Sequence, residues 1–237
     1  MPRPLRPRIN NGIYHVFNRG NRKGPIFLDE FDLERFLELL QDLGLKFGWP
    51  FFAYCLMTNH FHLVVETPEG DVSTGMHRVS FLYAQYFNRK YAVDGHVFQG
   101  RFKTVLIRSD VQLLAAIRYV LTNPVRAGLT ATAEQWKWSS YRATVGIRRP
   151  PPFLSVQRVL RYFGTDPREQ RERFAAWIAE EEEAIRRERA ALAVGRFGQG
   201  QGPDPGTWPV QPTPYVPGNR SPSSRTSSAA GRPTTFR

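Results

Sequence analysis

The stretch "FFAYCLMTNHFHLVVE", Phe51 to Glu66, decides the reading of this chain. Two apolar runs, "FFAYCLM" and "FHLVVE", flank a short polar "TNH", so the segment is expected to fold as two antiparallel strands joined by a tight turn. Successive side chains on a strand point to opposite faces, so His60 and His62 share one face and Phe61 looks into whatever covers the other. Two imidazoles about 7 Å apart at Cα can share a divalent ion if a third ligand arrives from another element. They can equally be polar residues on a solvated strand face, and the stretch alone leaves both readings open. Cys55 is the single cysteine and lies inside the apolar run. It reads as a small buried hydrophobe and excludes an internal disulfide or a cysteine-rich zinc site.

Working outward, "GIYHVFNRG" reads as a strand ending at Gly20. "LDEFDLERFLELLQDLGLKFG" reads as an amphipathic helix capped by Asp29, with Leu33, Phe36, Leu37, Leu40 and Leu43 at helical spacing. Downstream lie a helix over roughly residues 72–89, a strand "FKTVLIR" and a helix from about residue 110 to 122. The order β, α, β, β, α, β, α predicts an α+β fold: an antiparallel sheet with helices packed on it, of the ferredoxin-like, split βαβ kind.

The Pro-rich "RRPPPFLS", Arg148 to Ser155, marks the expected end of a core domain over residues 1–147. Residues 148–194 are expected to form a linker and helical extension, in which Phe174, Trp177, Ile178 and Ile185 make one apolar stripe and an acidic block is followed by a basic one. From residue 195 the text is rich in Gly, Pro, Ser and Arg and predicts a disordered basic tail to residue 237.

The chain has 33 Lys plus Arg against 21 Asp plus Glu, a formal net charge of +12. That excess favours a polyanionic partner. No window approaches the length of a membrane-spanning helix and the opening "MPRPLRPRIN" has no apolar core like a signal peptide, so no membrane association and a cytoplasmic location are expected.

In "DVQLLAAIRYVLTNP" the residues Leu113, Ile117, Val120 and Leu121 make a buried stripe, while Gln112, Ala115, Ala116, Tyr119 and Asn123 gather on another face. Tyr119 and Asn123 lie one helical turn apart. Taken singly, Tyr119 reads as a half-buried packing aromatic and Asn123 as a helix stop before Pro124.

The motifs "YHVFNRG", "MTNHFHLVVE", "FQGRFK" and "RYVLTNPVRAGL" occur in the order and spacing of the single-tyrosine HUH transposases, and the chain most resembles the REP-associated tyrosine transposases, over roughly residues 13–144. This resemblance implies the HUH endonuclease fold, a nucleophilic Tyr119, and a Mg²⁺ or Mn²⁺ ion held by His60, His62 and Asn123. It implies cleavage and rejoining of single-stranded DNA beside REP-like hairpins through a 5′-phosphotyrosine link, by a nucleoid-associated monomer or homodimer. The chemistry agrees with the residues: a free phenol has a pKa of about 10 and attacks a phosphodiester only with charge stabilisation and correct placement. His15 belongs to the motif and is expected near the ion without being a ligand. Arg19, Arg22, Lys23, Arg101, Lys103, Arg118 and Arg126 adjoin the expected site and are candidate phosphate contacts. Phe98, Phe102 and Trp138 are candidates for base stacking or, equally, for the core. An alternative of a different class is a catalytically idle, domesticated hairpin-binding protein.

Overall fold

β1 (Gly12–Arg19) pairs antiparallel with two neighbours, β3 (His60–Thr67) on one side and β4 (Lys103–Ile107) on the other, and β2 (Phe51–Met57) pairs antiparallel with β3. The resulting order, β2-β3-β1-β4, leaves β1 and β2 parallel with β3 inserted between them. That is the predicted split βαβ arrangement, with α1 (Glu30–Phe47) as the crossover. This computed structural model describes residues 8–195. The remaining helices are α2 (Val72–Tyr91), α3 (Asp110–Arg126), α4 (Tyr141–Thr144), α5 (Val156–Leu160) and α6 (Pro167–Gly195). The expected basic tail beyond Gly195 lies outside the described residues.

The hairpin turns more tightly than "TNH" suggests. His60 already pairs with Met57, so Thr58 and Asn59 alone make the turn and His60 opens β3. Alternation along β3 then sends Phe61 to one face, where its ring lies 4.8 Å from Phe36 of α1, and His62 to the other, 5.5 Å from Tyr119 of α3. The sheet is thus covered on both faces, by α1 and α2 on one and by α3 on the other. β2 is buried along its whole length although it ends the sheet. Residues 136–140 hydrogen-bond along its free edge, with Leu56 N donating to the Trp138 carbonyl and Ser140 N to that of Tyr54, and Phe51 N donates to the Phe153 carbonyl. An otherwise open edge is closed.

α1 begins with a capping box in which Asp29 accepts from the Asp32 amide and Asp32 reaches back to the Asp29 amide. It ends at Gly48 with φ +62, a left-handed cap that costs glycine least. α2 comes close to Trp49: a Cβ at Gly75 would lie 2.4 Å from the indole, so the helix packs there only as glycine. α3 continues to Arg126, past the predicted stop, with Pro124 in its last turn and Ala127 N donating to the Asn123 carbonyl beyond it. The helical turn that carries Tyr119 and Asn123 therefore stays intact. Cys55 is fully buried, as expected, and burial pushes its thiol pKa up.

The extension packs on the core. Phe174, Trp177 and Ile178 of α6 join Phe153, Leu160 and Phe163 in the same apolar cluster as the sheet, and Ile185 is also buried. The four-residue stripe seen in the sequence is therefore the docking face of α6.

Asp32 is fully buried yet ionised. Burial alone would raise its pKa, but hydrogen bonds from Lys90, the Leu28 amide and Tyr91 outweigh it and hold the carboxyl below its ordinary 3.8. Lys90 bridges the same carboxylate to Asp29, tying α2 to the start of α1. Removing that charge leaves Lys90, Tyr91 and Tyr86, whose hydroxyl also donates to Asp32 at 3.1 Å, without their common anionic acceptor. Asp32→Asn is expected to cost about 2–4 kcal/mol in urea unfolding at pH 7. Because the folded pKa is depressed, the stability is present above pH 3.8 and lost as pH falls below it. The gap between wild type and variant should accordingly close in acid.

Candidate active site

The first turn of the site is the hairpin itself. Asn59 donates from Nδ2 to the Lys23 carbonyl at 2.9 Å, which fixes its amide and aims Oδ1 at His60 Nδ1, 2.7 Å away. His60 therefore carries its proton on Nδ1, and its Nε2 is left as a lone pair. That lone pair faces Asn123 Oδ1 at 3.2 Å. Two acceptors opposed at this distance have no proton to share, so the pair is complete only with a cation between them or with the amide reversed.

His62 shares its Nδ1 with His15 Nε2 at 2.9 Å, with the two rings stacked at 5.1 Å. Its Nε2 is buried and has no hydrogen-bond partner. An orphaned imidazole nitrogen beside an orphaned lone pair, with a carbonyl oxygen opposite, is a donor set that suits a cation taking mixed N and O ligands such as Mn²⁺ or Mg²⁺. Among the described residues no cluster of three or more His, Cys, Asp and Glu side chains is arranged to hold a metal. The candidate third ligand is an amide.

Neither histidine of the pair lies on a solvated face: His60 and His62 are 8% and 1% exposed, and His15 is 2%. Burial lowers all three pKa values, that of His15 to about 3. At His60 the Asn123 oxygen partly offsets the effect while the Arg19 charge adds to it, and at His62 the neighbouring His15 and His60 add to it. Neutral imidazoles keep a lone pair available for a ligand.

Tyr119 is half-buried in α3 with its ring edge-on to both His62 and His15, at 5.5 and 5.9 Å. The Arg126 guanidinium lies 5.8 Å from the same ring. Tyrosine and asparagine meet the histidines because α3 is held on that sheet face by Leu113, Ile117, Val120 and Leu121, all buried as the sequence indicated.

The candidate phosphate contacts divide into two groups. Arg19 ends β1, and Arg22 and Lys23 follow in a turn with left-handed φ values of +52 and +61. Gln99 N donates to the Arg19 carbonyl and Asn18 Nδ2 to the Gly100 carbonyl, which bring Arg101 and Lys103 to the same rim. Arg22, Lys23, Arg101 and Lys103 are exposed, and Arg19 is half-buried beside His60, its partner in the β1–β3 register. Arg118 and Arg126 instead pair with α6: Arg118 with Glu180 and Glu181 at 3.6 and 3.3 Å, and Arg126 with Glu181. The Arg118 guanidinium also stacks over Trp177 at 5.0 Å. Phe98 and Phe102 are buried in the core, and Trp138 is partly buried against it. Asn59 and the α6 glutamates were not singled out as site residues from sequence. The only signals were an amide in the turn before His60 and the acidic block ahead of the basic one.

A central-strand histidine pair lies beneath a tyrosine-bearing helix on a sheet of order β2-β3-β1-β4, the arrangement expected from the resemblance to the single-tyrosine HUH transposases. Residues 8–123 match the family described as "Transposase IS200 like". A Haemophilus influenzae protein described as a REP-associated tyrosine transposase is 31% identical over 106 residues, which cover 39% of this chain and 59% of that protein. The match thus spans under two thirds of the length of that relative. The solved structure of a REP-associated tyrosine transposase bound to a REP hairpin superposes with a TM-score of 0.53 at 19% identity, covering 62% of this chain and 86% of that one. It shows the same fold. No helix among the described residues is long and apolar enough to cross a membrane.

In metal-free protein at pH 5.5, long-range ¹H–¹⁵N correlation spectra are expected to show His15 and His62 as neutral imidazoles, as the lowered pKa values require. An imidazolium pattern for either would contradict the buried geometry.

Proposed function

We propose that this chain cleaves and rejoins single-stranded DNA beside a REP-like hairpin, with Tyr119 as the nucleophile. The observation that carries the reading is the facing of His60 Nε2 and Asn123 Oδ1 at 3.2 Å, with the orphaned His62 Nε2 beside them and Tyr119 one helical turn before Asn123. The family match and the hairpin-bound relative support it.

The Tyr119 oxygen attacks phosphorus as its phenolic proton passes to solvent, forming the O–P bond of a 5′-phosphotyrosine, and the P–O3′ bond breaks with the 3′ oxygen taking a proton from solvent to leave as a hydroxyl. Attack by that 3′-OH on the same phosphorus reverses the step, so strands rejoin without an external energy source. His60 Nε2, His62 Nε2 and Asn123 Oδ1 would hold a Mg²⁺ or Mn²⁺ ion, which would supply Lewis-acid stabilisation of the charge that develops on the phosphate. Asn59 locks the His60 ring with its Nε2 lone pair inward. His15 does the same for His62: as acceptor at Nε2 it keeps the His62 proton on Nδ1 and so frees His62 Nε2. Arg19, Arg22, Lys23, Arg101 and Lys103 receive the strand along the rim beside the pair. Arg118 and Arg126, neutralised by Glu180 and Glu181, act mainly by holding α3 and with it the tyrosine.

Incubation with an end-labelled single-stranded hairpin and Mn²⁺, followed by denaturing electrophoresis, is expected to give a protein-linked label that is absent with Tyr119→Phe. Free cleavage products that persist in that variant would overturn the nucleophile. Hairpin binding with no adduct from the wild type would favour an idle binder. A separate measurement addresses His15. By titration calorimetry His15→Leu should weaken Mn²⁺ binding about 10–100-fold, and His15→Gln, which retains an acceptor, should recover most of it.

A further inference from the structure

Beyond the residues of the family match, α4, α5 and the first turns of α6 enclose an open groove of about 550 Å³. Arg148, Arg149, Arg158 and Arg171 line it, and no carboxylate does. Arg148, Arg149 and Arg171 are exposed and make no ion pair among the described residues. That separates Arg171 from Arg168, Arg173, Arg186 and Arg187 of the same helix, each of which pairs with a glutamate three or four residues away. The Arg171 side chain lies against Gly146, whose φ is +89 and whose missing Cβ would sit 3.2 Å from the guanidinium carbon. The floor is rigid, because Ser155 N donates to the Phe51 carbonyl at the start of β2 and Leu154 bridges Phe51.

Arg158 anchors the groove to the catalytic strand through Glu66, 2.5 Å away. Glu66 shares a face of β3 with His60 and His62 and lies six residues from His60. At about 3.3 Å per residue that places the groove roughly 20 Å along the strand from the histidines. Duplex DNA advances about 3.4 Å per base pair, so the separation corresponds to about six pairs. Guanidinium forks match phosphate oxygens in pairs of hydrogen bonds.

We infer that this groove binds the sugar-phosphate backbone of duplex DNA, holding the hairpin stem about six base pairs from the strand presented to Tyr119. The inference rests on the proposed reading of the chain as a hairpin-processing enzyme. The combined variant Arg148→Ala, Arg149→Ala, Arg171→Ala tests it, because all three side chains are exposed. A fluorescent hairpin with a ten-pair stem and an unpaired oligonucleotide of the same length are titrated by anisotropy from 50 to 300 mM NaCl, and circular dichroism checks the fold.

Expected for the hairpin are a Kd at least about 10-fold higher and a log K against log salt slope shallower by about 2–3, since each phosphate that is no longer neutralised removes about 0.9 from it. The unpaired strand should change less than about 2-fold, and the corresponding lysine triple variant should retain the wild-type slope. An unchanged slope in the folded alanine variant, while the wild type still forms its tyrosine adduct, overturns the groove and leaves the proposed function standing. Equal weakening for both DNAs overturns the assignment to duplex. A wild type that binds no hairpin overturns both readings.

Discussion

The alternation of β3 is the constraint on which the site depends. Phe61 can reach the Phe36 ring only if His60 and His62 turn to the opposite face, because neighbouring side chains of a strand cannot share a side. The apolar packing of α1 and α2 thus sets the direction of the imidazoles. Covering that second face with α3 removes the histidines from water and brings Tyr119 and Asn123 against them in one step. A register slip of one residue would bury both histidines among the phenylalanines and turn Phe61 toward α3, so the aromatic core protects the site against mispairing.

The imidazoles are then oriented by neighbours that never need to touch a substrate. Asn59, held by the Lys23 carbonyl, and His15, on the adjoining strand, each take the Nδ1 side of a ring. Both Nε2 atoms are thereby left toward α3. The price is polar atoms buried without protein partners, a cost that folded proteins seldom carry outside functional sites.

The positive charge of the chain is sorted by the fold. On α3 the two arginines that flank Tyr119 in sequence are turned to the glutamates of α6, where they fasten one helix to the other across Trp177. Arg22, Lys23, Arg101 and Lys103 are instead exposed at the rim beside β1, and Arg148, Arg149 and Arg171 in the groove between α4 and α6. Net charge therefore says little about where a polyanion would lie; pairing decides it.

Much of this was legible from residue order. Period-two alternation around His60, the Asp29 cap of α1 and the apolar stripes of α3 and α6 are local patterns, and local patterns are carried by backbone geometry that holds whatever the neighbours do. The fold class, the histidine pair and the tyrosine with its asparagine followed from them and from the order of the motifs. Only the tertiary structure decided that His15 and Asn59 set the two rings, that His60 Nε2 opposes Asn123 Oδ1, that α3 runs through Pro124, and that Arg118 and Arg126 belong to α6. Each depends on atoms far apart in the chain meeting within hydrogen-bond distance, and such meetings are fixed by how the layers pack, which no stretch of sequence encodes by itself.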